Sequence, residues 1–222
     1  MIIEDIAVTV EKKNIKNMYI RILPPNGDVK VSAPLFVSDE DIIRFVKSKK
    51  DWILKKQRYI QENDIKAPYK YDNGEKHPLW GKEYELQLIS NENVKDAFVM
   101  DDKIYLPIPK RSTIEKRKNI LDELYRRELK NALPDISDKC CNTVGRRPKS
   151  INVRKMKNWG NCKQDGRITL NLNLAKKDKE CLEYVMIHEL CHLIEFNHGK
   201  NFKKLMDQFC PNWKKIKKRL NE

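Results

Sequence analysis

A chain of 222 residues with 40% hydrophobic content can fill one large core or two small ones, which excludes a fully disordered or fibrous polymer. Its 46 Lys and Arg against 32 Asp and Glu give a net charge of +14, a field that attracts polyanions and sets partners, not fold. No run approaches the roughly 18 uncharged residues of a membrane-spanning helix, and MIIEDIAVTV lacks the features of a signal peptide, so a soluble, cytoplasmic protein with no membrane partner is expected. Lys is abundant along the whole chain, so part of the excess reads as even background. Cysteines 140, 141, 162, 181, 191 and 210 show no CxxC spacing and read as reduced core thiols.

Alternation of period two marks the first third as strands: Ile6, Val8 and Val10, then Met18, Ile20 and Ile22, then Val29, Val31 and Ala33. Asn26-Gly27, between the last two runs, suits a type I′ turn because both residues tolerate positive φ, so an antiparallel meander is expected. Ser38 with Asp41 is a capping-box pattern, and Ile42, Phe45, Val46 and Ile53 recur at helical spacing to about Ile60. They predict one amphipathic helix with a basic outer face. After the turn-rich YDNGEKHPLWGK, in which His77 reads as a turn or packing histidine, period-two segments return at Tyr84–Ile89, Ala97–Met100 and Ile104–Ile108.

Pro107 and Pro109 close this second β-rich patch. Ser112 with Glu115 opens a helix that carries Leu121, Leu124 and Tyr125 and is expected to stop before Pro134, followed by a short helix near 137–144. Strands are predicted at Ser150–Arg154 and Arg167–Leu174, the second as an edge strand on which an extended peptide could pair. A long helix follows from Asp178, a sound N-cap, to Phe196, with Leu182, Met186, Leu190 and Leu193 as its buried stripe. No fixed period repeats. The switch from strands to helices divides the chain into a β-rich portion with one amphipathic helix, residues 1–110, and a helical portion, residues 111–222, giving an α+β fold.

Three of the four histidines fall within HELCHLIEFNH at 188–198. On a helix His188 and His192 stand one turn apart, so both imidazoles can reach one ion. Glu189 is rotated by about 100° from His188, beside such an ion and not bound to it, where it can accept a proton from a metal-held water. A catalytic zinc takes three protein ligands and keeps one position open. His198 is the candidate third ligand. A continuing helix would carry it about 9 Å past His192, so the helix has to end and the chain turn back, with Asn197 as a left-handed stop and Gly199 as added freedom. Glu195, at i+3 from His192, is the rival third ligand or a carboxylate supporting one. The three histidines keep the spacing of HExxHxxGxxH, but Glu195 stands where that pattern has Gly.

Such a ligand set predicts amide hydrolysis: zinc acidifies its water, and Glu189 takes the proton during attack on a polarised carbonyl and returns it to the leaving amine. The competing class is a basic nucleic-acid-binding protein with a structural zinc, closed by a fourth ligand from Glu195, Cys162 or Cys191. Oligomeric state is left open.

WGNC at 159–162, RITLNLNLA at 167–175 and YVMIHELCHLIEFNHGKNF at 184–202 resemble the YgjP-like zinc metallopeptidase family, and HExxH with the later HGxxF carries a wider likeness to SprT-like proteases. The front of the chain is similar more loosely, through its strands, Trp52 and GEKHPLWGK. The resemblance implies a zincin-like catalytic domain with an HExxH active-site helix, zinc on His188, His192 and His198, Glu189 as general base, and a protein or peptide substrate. Trp159 and Asn161 become candidate substrate-binding residues. The family commonly shows WGSC and HELAHL where this chain has Asn161 and Cys191, so a hydroxyl's role at 161 does not carry over. The likeness to SprT-like proteins also implies an alternative, a DNA-associated protease with nucleic acid on its basic surface.

Overall fold

The computed structural model describes residues 1–63, 67–90, 94–109 and 111–221. They form two compact units, Met1–Tyr69 and Lys70–Glu222. In the first, β1 (Ile2–Ile3) and β2 (Ile6–Lys13) are joined by Glu4 and Asp5, both at positive φ (46° and 67°), a reversal whose twist suits a hairpin. With β3 (Tyr19–Leu23) and β4 (Asp28–Pro34) the sheet order is β1-β2-β4-β3. Strands β2 and β4 are parallel, pairing Val8 with Val29 and Val10 with Val31, and β3 lies antiparallel beyond β4. The expected meander is therefore corrected: alternation records which face a strand buries, not which strand lies beside it. β3, nowhere fully buried, suits the edge. In the β3–β4 loop only Gly27 has positive φ (77°), so Asn26-Gly27 does not form the two-residue turn expected there.

α1 (Asp39–Lys47) starts at Ser38, whose Oγ accepts the Asp41 N–H at 3.1 Å. The single helix expected is broken after it. Ser48 donates its hydroxyl back to the Phe45 carbonyl at 2.8 Å, competing with the helical ladder, and α2 (Lys50–Glu62) begins afresh. Ile42, Val46 and Ile53 fill the sheet's core with Val8, Val29 and Val31.

The second unit opens on β5 (Lys76–Leu79), β6 (Lys82–Ile89), β7 (Phe98–Met100) and β8 (Lys103–Pro107), ordered β5-β6-β8-β7. Its parallel central pair aligns Leu86 with Ile104. His77 is buried and stacked on Tyr71 with ring centres 5.2 Å apart, a packing role as expected. Leu79, Leu86, Ile104 and Leu106 share one core with the long helix α3 (Ile114–Val144). The described residues between 70 and 109 thus pack with the helices that follow them, and the division expected near 110, a residue outside the described ones, falls inside this unit. The change there is one of secondary structure within a single core.

Thr113, not Ser112, caps α3 by accepting the Lys116 N–H at 3.2 Å, while Ser112 accepts from Arg117 Nε. The helix runs through Pro134. Leu121, Leu124, Leu129, Leu133, Ile136 and Cys140 keep one buried stripe across it, and the proline sits on the exposed side, where water can satisfy the freed carbonyl. Next come β9 (Ser150–Arg154), β10 (Gly160–Cys162) and β11 (Arg167–Asn171), ordered β10-β11-β9. β11 is central, so the edge strand expected there is corrected: the edges are β10 and β9. A 3-10 turn (Leu172–Lys176) leads into α4 (Lys179–Cys191), followed by α5 (Lys200–Phe209) and α6 (Trp213–Asn221). Trp80 and Gly81, both at positive φ, turn β5 into β6, and this turn anchors the start of α4: Trp80 N–H donates to the Ala175 carbonyl at 2.7 Å, and a Cβ on Gly81 would collide with the Asp178 carboxylate. All six cysteines are free, and five are buried. Among the described residues no helix is long and apolar enough to cross a membrane.

Candidate metal centre

α4 buries Leu182, Met186 and Leu190, which fixes the direction of its polar residues. His188 lies in its last turn, and His192 is its C-cap at φ −68°. The helix thus ends before the Phe196 expected. Leu193 and Ile194 bond the carbonyls of Leu190 and Cys191, three residues back and each at 3.0 Å, tightening the final turn. Neither Asn197 nor Gly199 takes positive φ, so the left-handed stop expected at Asn197 is replaced by this early tightening. His198 is returned to the site because α5 places Phe202 against it. The Phe202 ring centre lies 4.9, 4.6 and 4.8 Å from the imidazoles of His188, His192 and His198.

The three imidazoles converge. Nε2 of His188 and Nε2 of His198 are 3.0 Å apart, and one ring nitrogen from each of the three residues lies within 4.8 Å of the others. Two nitrogens bound at about 2.0–2.1 Å to a tetrahedral ion would be roughly 3.3 Å apart, so the spacing fits one. His192 Nδ1 faces the Glu195 backbone carbonyl at 3.2 Å, which makes it the donor nitrogen and leaves Nε2 for an ion. Burial, then the neighbouring imidazoles and Lys217, push His188 down to about 3, and burial lowers His192 as well, so both are held as neutral donors. The Glu195 carboxylate turns instead to the Asn197 N–H at 3.4 Å, because the helix that would have aimed it at i+3 has ended. Among the described residues no fourth His, Cys, Asp or Glu atom joins the three. Cys162 and Cys191 are buried, their thiols pushed up to about 11 and 12 by desolvation.

Glu189 is only 4% exposed, and burial raises its carboxyl to about 8 against a smaller downward pull from the Cys162 backbone N–H. Gly160 makes room for it: a Cβ there would collide with Glu189 Oε1. The approach of β10 is set by Asn171, buried at the end of β11. Its amide donates to the Met156 and Asn158 carbonyls at 2.8 and 2.9 Å, and its backbone N–H to Trp159 O at 2.9 Å. Sequence reasoning assigned no role to Gly160, Asn171 or Phe202. The WGNC, RITLNLNLA and HGxxF strings held Gly160, Asn171 and Phe202 in turn, and Asn171 stood as a polar residue inside the strand expected over 167–174.

A cavity of about 740 Å³ opens over the imidazoles. Trp159 and Asn161 both line it, Trp159 with its Nε1 donating to Asn221 of α6 at 3.0 Å. α6 adds Trp213, Lys217 and Leu220, a wall that no sequence expectation covered.

The sequence matches the family model described as YgjP-like, metallopeptidase domain, over residues 16–222. Among solved structures, the crystal structure of the metallopeptidase zymogen of Pyrococcus abyssi abylysin is 23% identical, covering 40% of this chain and 90% of that one at a TM-score of 0.37. A comparison with curated proteins finds no match.

Proposed function

The chain belongs to the YgjP-like family of metallopeptidase domains, and from that premise we propose that it hydrolyses peptide bonds with one zinc ion on His188, His192 and His198 and with Glu189 as general base. The observation that carries this reading is the convergence of three imidazoles beside a buried carboxyl that is not one of them. Neutral imidazoles suit zinc among the common divalent ions, and three donors with no fourth among the described residues favour an open, catalytic site over a closed, structural one. When bound, the ion supplies a Lewis acid that acidifies water and polarises a substrate carbonyl. In its ionised form, which the charge of a bound ion would favour over the protonated form of the metal-free chain, Glu189, oriented by the Cys162 N–H and given space by Gly160, takes one proton from the attacking water as its oxygen joins the carbonyl carbon. The same proton then passes to the departing amide nitrogen as the C–N bond breaks, and Glu189 is restored.

Glu189→Gln is expected to keep about one metal ion per chain while peptide hydrolysis falls by roughly 10²–10⁴. His198→Ala is expected to lose the ion. Metal loss in Glu189→Gln would make that residue a ligand, and full retention in His198→Ala with loss in Glu195→Ala would move the third position to Glu195.

A further inference from the structure

The positive charge of the chain is not spread evenly. Residues 145–222 hold 19 Lys and Arg against 8 Asp and Glu, an excess of 11 out of 14, whereas residues 70–144 balance at 14 each. This final stretch builds the cavity. Three lysines line it from three separate segments: Lys157 from the loop before β10, Lys203 from α5 and Lys217 from α6. All are exposed, and among the described residues none forms an ion pair. Among the described residues the one acid that lines the cavity with them is Glu189, sequestered beneath the surface.

Asn161 connects this cavity to a second, shallower one of about 210 Å³ on the outer face of the three-stranded sheet. There Asn152, Thr169 and Asn161 stand in one register row across β9, β11 and β10. Among the described residues Arg154 and Lys163 flank the row without a carboxylate partner, while Lys155 and Arg167 on the same face are already paired with Asp122 and Asp165. Unpaired cations therefore run from the sheet face, past Asn161, to the rim of the centre.

We propose that the substrates are acidic peptides, with Asp or Glu side chains on both sides of the bond to be cut meeting Lys157, Lys203 and Lys217 in the cavity and Arg154 and Lys163 on the sheet face. The proposal rests on the peptidase reading of the same site. A peptide is favoured over nucleic acid because the free lysines ring the concavity that holds the three imidazoles, so what they meet is what is bound for reaction.

The test compares a fluorescein-labelled Glu-rich peptide with its Gln isostere by fluorescence anisotropy on the zinc-loaded Glu189→Gln protein, which would bind without cutting. Each exposed charge pair is worth up to about fivefold, so the Glu peptide is expected to bind roughly tenfold tighter at low salt. The exposed-site triple reversal Lys157→Glu, Lys203→Glu, Lys217→Glu is expected to erase that preference. Equal binding of the two peptides to the unreversed protein overturns the proposal. So does displacement of the acidic peptide by a single-stranded oligonucleotide at a lower concentration than by unlabelled peptide, an outcome that assigns the surface to nucleic acid. Wild-type protein that cuts no peptide, beside a Glu189→Gln variant that still prefers the acidic one, would sink the catalytic reading and leave this one standing.

Discussion

The two units open on the same sheet, strand for strand: β1-β2-β4-β3 and β5-β6-β8-β7, each with a parallel central pair and antiparallel flanks. Corresponding strands start roughly 75 residues apart, Ile6 with Lys82 and Asp28 with Lys103. What each sheet helps to bury differs. The first core is Ile, Val and Ala, while every buried polar residue among those described, His77, Asp122, Asn171 and Glu189, belongs to the second unit. Burying such groups destabilises a fold unless they are satisfied or used, so their confinement to one unit separates a topology kept for packing from the same topology kept as a platform for chemistry.

The largest effect tests whether the two cores stand independently. Val31 in β4 and Ile104 in β8 are both 0% exposed on the central pair of their sheets. An unpaired carboxylate at either place costs about 4 kcal/mol or more, enough to unfold its unit. Ile104→Asp is expected to lose the metal with the fold. Val31→Asp is expected to lose one calorimetric transition and still carry about one ion per chain after gel filtration. Metal loss in Val31→Asp would merge the two cores into one cooperative structure.

A smaller effect sharpens the contrast in buried polar groups. Glu189 sits at about 8 in the folded chain against an ordinary 4.5, with burial as the cause. Between those values the folded chain keeps a proton that the unfolded chain has released, so the residue costs nothing below pH 4.5 and its cost grows as pH rises through that window. In metal-free protein, Glu189→Gln is therefore expected to be more stable than wild type by roughly 3 kcal/mol at pH 7, with a difference below about 0.5 kcal/mol at pH 4.5, by urea denaturation. Equal stability at both pH values would mean that the carboxyl is ionised in the fold.

The site was more legible in the sequence than the fold around it. His188, Glu189 and His192 are local, fixed by a helix whose start at Asp178 and apolar stripe could be read directly. His198 needed a chain reversal, and the reversal was inferred from the wrong residues: it is made by early tightening after Cys191 and by Phe202, a contact between helices that spacing along one helix does not report. Helices α5 and α6 had period-consistent apolar residues, Phe202 with Met206 and Ile216 with Leu220, but lay beyond the last histidine, and no helix was expected there. The repeated sheet escaped because pairing order is set by nonlocal contacts, and the two copies share only alternation. Pro134 misled for a related reason: the rule against internal proline is local, whereas the stripe on both sides of it is held by the whole core.

The smallest effect asks whether the helix after each sheet is held by the same local device. Ser38 caps α1 and Thr113 caps α3, each hydroxyl accepting the N–H three residues on, at 3.1 and 3.2 Å. Ser38→Ala and Thr113→Ala are each expected to cost about 1 kcal/mol, the first lowering only the transition of the first unit and the second only that of the second unit. Ser112→Ala removes the acceptor of one Arg117 bond and no cap, and Arg117 also holds Asp72, so a change below about 0.5 kcal/mol is expected. Resolved calorimetric transitions measure all three. If Ser112→Ala costs as much as Thr113→Ala, the cap of α3 lies one residue earlier than the hydroxyl geometry places it, and the likeness between the two helix starts ends there.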